Sequence, residues 1–216
     1  NLFAAFKFYK RAIEIGIKPI IGTTVSIRSG ASERISKLIL LCKHTTGYKN
    51  LSNLITRSYL EGYHKGKALV DIDWLDGKSA SGLIAISGGY NGFIQNLLLS
   101  EKSRTASKQV ERLKLIFRED LFLQIHKLGV NRDVELLEKT VEIASLAEVP
   151  LLAGNNPRFL NQDDYLSLDA RVCIDRGDVI DNTNRVREYT TEQYFKTEKE
   201  MANLFSDIPE AVKNTV

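Results

Sequence analysis

Short apolar runs alternate with helical patterns along almost the whole chain, and most runs are bounded by glycine, proline or asparagine. No other feature constrains the fold so much. Strands and helices in strict alternation assemble as a parallel α/β sheet or barrel with helices on its faces. "IKPIIGTTVSI", "SKLILLCK", "GLIAISGG", "DLFLQIHKLG" and "LLAGNN" read as strands. "NLFAAFKFYKRAIEIG" reads as a helix ended by Gly16, with Phe3, Phe6, Ile13 and either Tyr9 or Lys10 near one face. "TGYKNLSNLITRSYLEGY" follows with Leu51, Leu54, Ile55 and Tyr59 at helical spacing. "SKQVERLKLIF" and "DVELLEKTVEIASLAE" are further helices, the second with Leu136, Leu137, Val141 and Ala144 as its inner stripe. "TTEQYFKTEKEMANLF" carries a Thr-led cap. The polar, aperiodic "CIDRGDVIDNTNRVREYTT" reads as a long surface loop.

At 216 residues, 43% apolar and 26% charged, the chain has the size and balance of a globular domain. No apolar run approaches the roughly 20 residues of a membrane helix, and no secretory leader is evident. Cytoplasm is the expected compartment. A net charge of +3 is too small to argue for nucleic-acid binding by itself. Cys42 and Cys173 lie far apart in apolar company and read as buried free thiols. The chain opens at Asn1 inside a helical pattern, so a segment of a longer protein is expected.

Residue chemistry alone yields no catalytic constellation. The three histidines are isolated. His44 and His64 stand in polar turns and read as solvated, whereas His126 sits at a strand exit, where a functional role is less remote. Asp71 and Asp73 in "VDIDW" would share one side of a strand and could share a cation, although two solvated carboxylates on an edge strand are the plainer reading. Asp163-Asp164 is expected to cap the helix that follows. "SGGYNG" reads as a tight glycine turn, and Arg104, Lys108, Arg112 and Lys114 as a solvated helix face.

The order and spacing of longer words say more. "NLFAAFKFYKRAIEIGIKPIIGTTV", "LLCKHTTGYKNLSNLITRSY", "LIAISGG", "LLAGNNPRF" and "REYTTEQYFKTEKEMANLFSDIPEAVKNT" span nearly the whole chain. Together they resemble the N-terminal polymerase-and-histidinol-phosphatase (PHP) domain of bacterial replicative DNA polymerase III alpha subunits. The resemblance implies a distorted seven-stranded (βα)7 barrel, incomplete here because roughly two N-terminal strands precede Asn1. It implies a barrel portion over residues 1–187 and terminal helices over 188–216 leading toward a polymerase palm.

In many relatives the strand ends of this fold carry divalent metal ligands that support phosphoesterase or proofreading chemistry. At the matching positions this chain has Thr24 for a carboxylate, Lys37 and Leu128 for histidines, and Asn156 and Arg158 for an aspartate and a histidine. Moving the role of Leu128 back to His126 would require a register slip. Two unit charges about 4 Å apart repel by roughly 4 kcal/mol at intermediate dielectric, and a divalent ion doubles that. The expectation is no catalytic residue, no metal and no cofactor within the chain. Arg158 is expected to pair with Asp163, Asp164 or Asp169, where ions would otherwise cross-link the loops.

As function, the resemblance implies a metal-free scaffold domain that braces the polymerase core and docks a proofreading exonuclease subunit. "FIQNLLLSE" is one candidate contact. Magnesium would act in the palm of the full-length protein, which would also meet primer-template DNA, a sliding clamp and clamp-loader subunits. Three alternatives stay open: a metal-dependent phosphoesterase or 3'–5' exonuclease of the same fold, the PHP domain of an error-prone polymerase paralogue, and a plain interaction module.

Overall fold

The structure, a computed structural model, describes residues 2–28, 35–182 and 184–216. Among these, seven strands form one sheet in the order β3-β4-β1-β2-β5-β6-β7. They are β1 (Gly22–Arg28), β2 (Ser36–Cys42), β3 (Tyr63–His64), β4 (Lys67–Asp71), β5 (Leu83–Ile86), β6 (Leu121–Ile125) and β7 (Leu151–Ala153). The helices are α1 (Ala5–Glu14), α2 (Thr45–Leu60), α3 (Phe93–Leu99), α4 (Ser103–Phe117), α5 (Asp133–Ala147), α6 (Tyr165–Arg176), α7 (Glu198–Leu204) and α8 (Pro209–Lys213). The sheet is not closed, with β3 and β7 as its edges among the described residues. This is the α/β fold that the alternating strand and helix patterns predict, and it is consistent with the PHP-type distorted barrel that the resemblance implies.

The sheet is mixed, which corrects the expectation of purely parallel strands. β1, β4, β5, β6 and β7 run one way, and β2 runs against both of its neighbours. Chain length explains the reversal. Residues 29–35 are too few for a crossover, which needs about a dozen, so β2 returns antiparallel to β1.

One face of the sheet is the core. Val25, Ile27, Leu38, Leu40, Leu83, Ala85, Leu121 and Leu123 alternate onto it and meet Leu51 and Leu54 of α2, Ile94 of α3, Val110 and Leu113 of α4 and Ile143 of α5. Fully burying one such side chain stabilises the fold by about 1.5–3 kcal/mol. The opposite face carries Thr24, Ser26, Lys37, Ile39, Phe122 and Gln124, all exposed or half-buried. A second apolar cluster seats α7 and α8 on the ends of β6 and β7, through Ile125, Ala153, Phe205 and Ala211. Asn214 Nδ2 ties α8 to the Leu151 carbonyl at 2.8 Å. Thr197 caps α7 in a reciprocal box with Glu200, so the Thr-led cap falls on the third threonine of its segment.

Local departures have local causes. Asp71 ends β4, and its carboxylate accepts from the Asp73 N–H at 3.0 Å, opening a 3-10 turn over Ile72–Trp74. The two aspartates therefore do not alternate on a strand: Asp71 pairs with Arg28 and Asp73 with Arg112. The Asp163-Asp164 cap also differs. Asn161 and Asp164 form a capping box around the 3-10 turn Gln162–Asp164, and no side chain caps α6 itself. The expected loop from Cys173 begins only after Gly177, because "CIDR" completes α6. In α5 the buried stripe is Leu136, Thr140, Ile143, Ala144 and Ala147, with Leu137 and Val141 half-buried.

Candidate functional site at the strand ends

The carboxyl ends of β5, β6 and β7 and the amino end of β2 meet at one rim, where parallel α/β folds place their chemistry. Each strand leaves the sheet through small or polar residues. β5 exits through Ser87 into Gly88 and Gly89, both at positive φ (83° and 60°). β6 exits through His126, and β7 through Gly154, Asn155 and Asn156.

Glycine is required at this turn by space as well as by φ. A Cβ on Gly88 would lie 2.8 Å from the Lys37 carbonyl oxygen, and one on Gly89 would collide with the His126 ring. A Cβ on Gly154 would lie 2.8 Å from His126 Nε2. The imidazole is thus held between two backbone segments that approach closely because they lack side chains.

A buried polar network fills the space behind the rim. Gln95 Nε2 donates to Ser87 Oγ at 2.8 Å and to the Gln124 carbonyl at 3.1 Å, and Ser87 Oγ accepts the Gln124 N–H at 2.9 Å. The Tyr90 N–H donates to His126 Nδ1 at 3.4 Å, which puts the proton of the neutral ring on Nε2. Among the described residues, Nε2 has no partner, nor do Gln95 Oε1 and Asn155 Oδ1. A cavity of about 10 Å³ lies between Gln95, His126 and Asp133. Burial pushes the His126 pKa down to about 4. Burial also raises the Asp133 carboxyl, against the lowering effect of the Leu128 and Gly129 N–H groups it accepts.

Over the rim lies a strap, the chain from Asp178 to Lys196 excepting the undescribed Thr183. Thr190 Oγ1 donates to the Leu128 carbonyl at 2.6 Å. Gln193 Nε2 donates to the Asn156 carbonyl at 3.2 Å, and the Arg158 N–H donates to the Gln193 carbonyl at 2.7 Å. Asn155 Nδ2 donates to the Tyr194 carbonyl at 2.6 Å. The strap is pinned to α6 by Arg185, which grips both carboxylate oxygens of Asp169. Their side chains are only 4% and 7% exposed. The guanidinium holds the Asp169 carboxyl below the ordinary range, more strongly than burial raises it. Arg176 to Glu188 and Tyr165 Oη to the Tyr189 carbonyl (3.3 Å) add to the attachment.

The five positions singled out from the sequence separate into two groups. Leu128, Asn156 and Arg158 come together under the strap. Leu128 is buried, Asn156 is held at φ 46°, and Arg158 is exposed with its guanidinium 5.3 Å from the Tyr189 ring centroid. Lys37 stands at the rim end of β2 opposite Ser26. Thr24 pairs with Ile39, two residues farther from the rim along the strand. The expected pairing of Arg158 with Asp163, Asp164 or Asp169 is not found. Asp169 is taken by Arg185, and the Arg158 side chain lies over Tyr189. Among the described residues, no group of three or more His, Cys, Asp and Glu side chains converges as a metal site would require.

His44 and His64 are exposed, as their polar settings suggest. The network residues Ser87, Gln95 and Gln124 and the strap residues Thr190, Gln193 and Arg185 are missed by motif reasoning. Only "AISGG", a serine and paired glycines closing an apolar run, carries a local signal for any of them.

The comparisons agree with this geometry. Residues 1–127 match the PHP domain family. Over its whole length the chain is 37% identical to DNA polymerase III subunit alpha of Pseudomonas aeruginosa, 37% to that of Borreliella burgdorferi and 35% to that of Escherichia coli K12. The chain spans 18–19% of the length of these curated relatives, in their N-terminal region. With the α/β sheet, its strand-end rim and a match over more than half the chain, the protein belongs to the PHP domain family.

Proposed function

We propose that this chain is the metal-free scaffold part of a replicative DNA polymerase of the DNA polymerase III alpha type. The supporting observation is the donor set at the rim. Thr24 and Asn156 supply only neutral oxygens, Lys37 and Arg158 are cations, and Leu128 has no lone pair. Divalent metal sites are built from carboxylates, imidazoles and thiolates, whose charge and lone pairs offset the cost of dehydrating the ion. These residues do not fit such a group. Hydrogen bonds from Thr190, Gln193 and Asn155 instead join the loops after β6 and β7 to the strap.

On this reading the chain itself catalyses no reaction. Nucleotidyl transfer belongs to a magnesium-dependent palm elsewhere in a full-length cytoplasmic protein, and proofreading to a separate exonuclease subunit that docks on the outer surface. Sliding clamp and clamp loader would engage other domains. The test is a primed-template assay on the full-length protein with magnesium, manganese and zinc supplied in turn. Extension without 3'-end removal, and removal only after an exonuclease subunit is added, is the expected result. Metal-stimulated 3'-end removal by the protein alone, lost on Asn156→Ala, overturns the scaffold reading.

A further inference from the structure

The cavity behind the rim is lined by polar groups that use only part of their hydrogen-bonding capacity. Gln95, His126 and Asp133 form its polar wall, and Leu136 and Leu137 of α5 close it. Gln95 is 1% exposed and His126 8%. Gln95 donates through Nε2 to Ser87 and to the Gln124 carbonyl, so its unpartnered atom is an acceptor, Oε1. His126 accepts the Tyr90 N–H at Nδ1, so its unpartnered group is a donor, the Nε2–H. Asp133 takes the Leu128 and Gly129 N–H groups on Oδ2, at 2.6 and 2.9 Å, which leaves Oδ1 able to accept.

We propose that this cavity is a binding site for one ordered water molecule, which accepts from His126 Nε2–H and donates to Gln95 Oε1 and Asp133 Oδ1. Size is the first argument. The volume of about 10 Å³ is that of about one water-sized probe, the least that holds a single water. Polarity is the second. A cation would face the Nε2–H hydrogen, and an anion would face the Gln95 oxygen and the Asp133 carboxylate. An apolar occupant would leave all three groups unpaired, which buried polar groups tolerate poorly. Water alone both donates and accepts, and about three partners is the usual number for a buried one. It would join α3, the exit of β6 and the start of α5 into one network. The inference is separate from the metal-free reading, which concerns Thr24, Lys37, Leu128, Asn156 and Arg158, so either can fail alone.

The test is a high-resolution crystal structure of the full-length protein, with further crystals grown with zinc or manganese. One density peak is expected in the cavity, about 2.7–3.2 Å from both His126 Nε2 and Gln95 Oε1, without anomalous signal. Gln95→Leu, which removes the acceptor, should lose the peak; should that variant not fold, the map of the unaltered protein decides. A cavity without density overturns the proposal, as does direct contact between His126 Nε2 and Gln95 Oε1. An anomalous scatterer in the cavity, or a peak kept at full occupancy in Gln95→Leu, overturns it too.

Discussion

Two regions of this molecule invert the usual distribution of side chains in opposite ways. At the rim of β5–β7, polar groups are buried: Ser87, Gln95, His126 and Asn155 lie behind a strap held by an almost wholly covered ion pair. On α1, apolar groups are exposed: Phe6, Phe8, Tyr9 and Ile13 face solvent around a single buried alanine. At the rim each of these side chains makes at least one hydrogen bond to a neighbour or the strap, so each contact depends on its neighbours. His126 Nε2, Gln95 Oε1 and Asn155 Oδ1 have no partner among the described residues. The α1 side has few contacts to lose. Damage should therefore spread at the rim and remain local on α1.

The largest expected effect breaks the strap. Arg185→Leu leaves the Asp169 carboxylate covered and unpaired, which costs about 3 kcal/mol, measured by denaturant unfolding of the full-length protein. The double replacement Asp169→Leu/Arg185→Leu should recover most of that loss, because no buried charge then lacks a partner. An equal loss in single and double variants would show that the pair does not pin the strap.

Gly89→Ala comes next. The backbone there has φ 60° and the new methyl would meet the His126 ring, so a loss of about 2 kcal/mol is expected. A variant of unchanged stability would mean that the ring is not wedged against the turn.

His126 gives a smaller, pH-dependent effect. Its folded pKa of about 4 lies below the ordinary value of 6.5. Between those values the unfolded chain binds the extra proton, so stability falls as pH is lowered through that window. The slope is at most about 1.4 kcal/mol per pH unit, and this contribution stops changing below about pH 4. His126→Gln should flatten that part of the stability profile. An unaltered slope would place the imidazole in water.

The smallest effect is on α1. Phe6→Ala should change stability by no more than about 0.5 kcal/mol, since the ring is mostly exposed. A loss of several kcal/mol would erase the contrast between the two regions.

Much of the fold was legible in sequence because strand and helix periodicities are local. "SKLILLCK" and "LLAGNN" mark β2 and β7, and "GYKNLSNLITRSYL" marks α2. The direction of β2 was not legible in the alternation, although the short connection before it carries the reason. The rim was legible as positions and not as contacts. Leu128, Asn156 and Arg158 do converge, yet their partners come from 31 to 62 residues away in sequence, and no local pattern encodes that meeting. Arg158 illustrates the limit. A guanidinium near three aspartates invites an ion pair, but Arg185 reaches Asp169 from a stretch that reads only as loop.

The central claim is that the rim is joined by the chain's own hydrogen bonds and holds no divalent ion. Its most direct test is anomalous diffraction from crystals of the full-length protein grown with zinc or manganese. The account predicts no anomalous peak within bonding distance of Thr24, Lys37, Leu128, Asn156 or Arg158. A fully occupied peak coordinated at Asn156 or at His126 would contradict it.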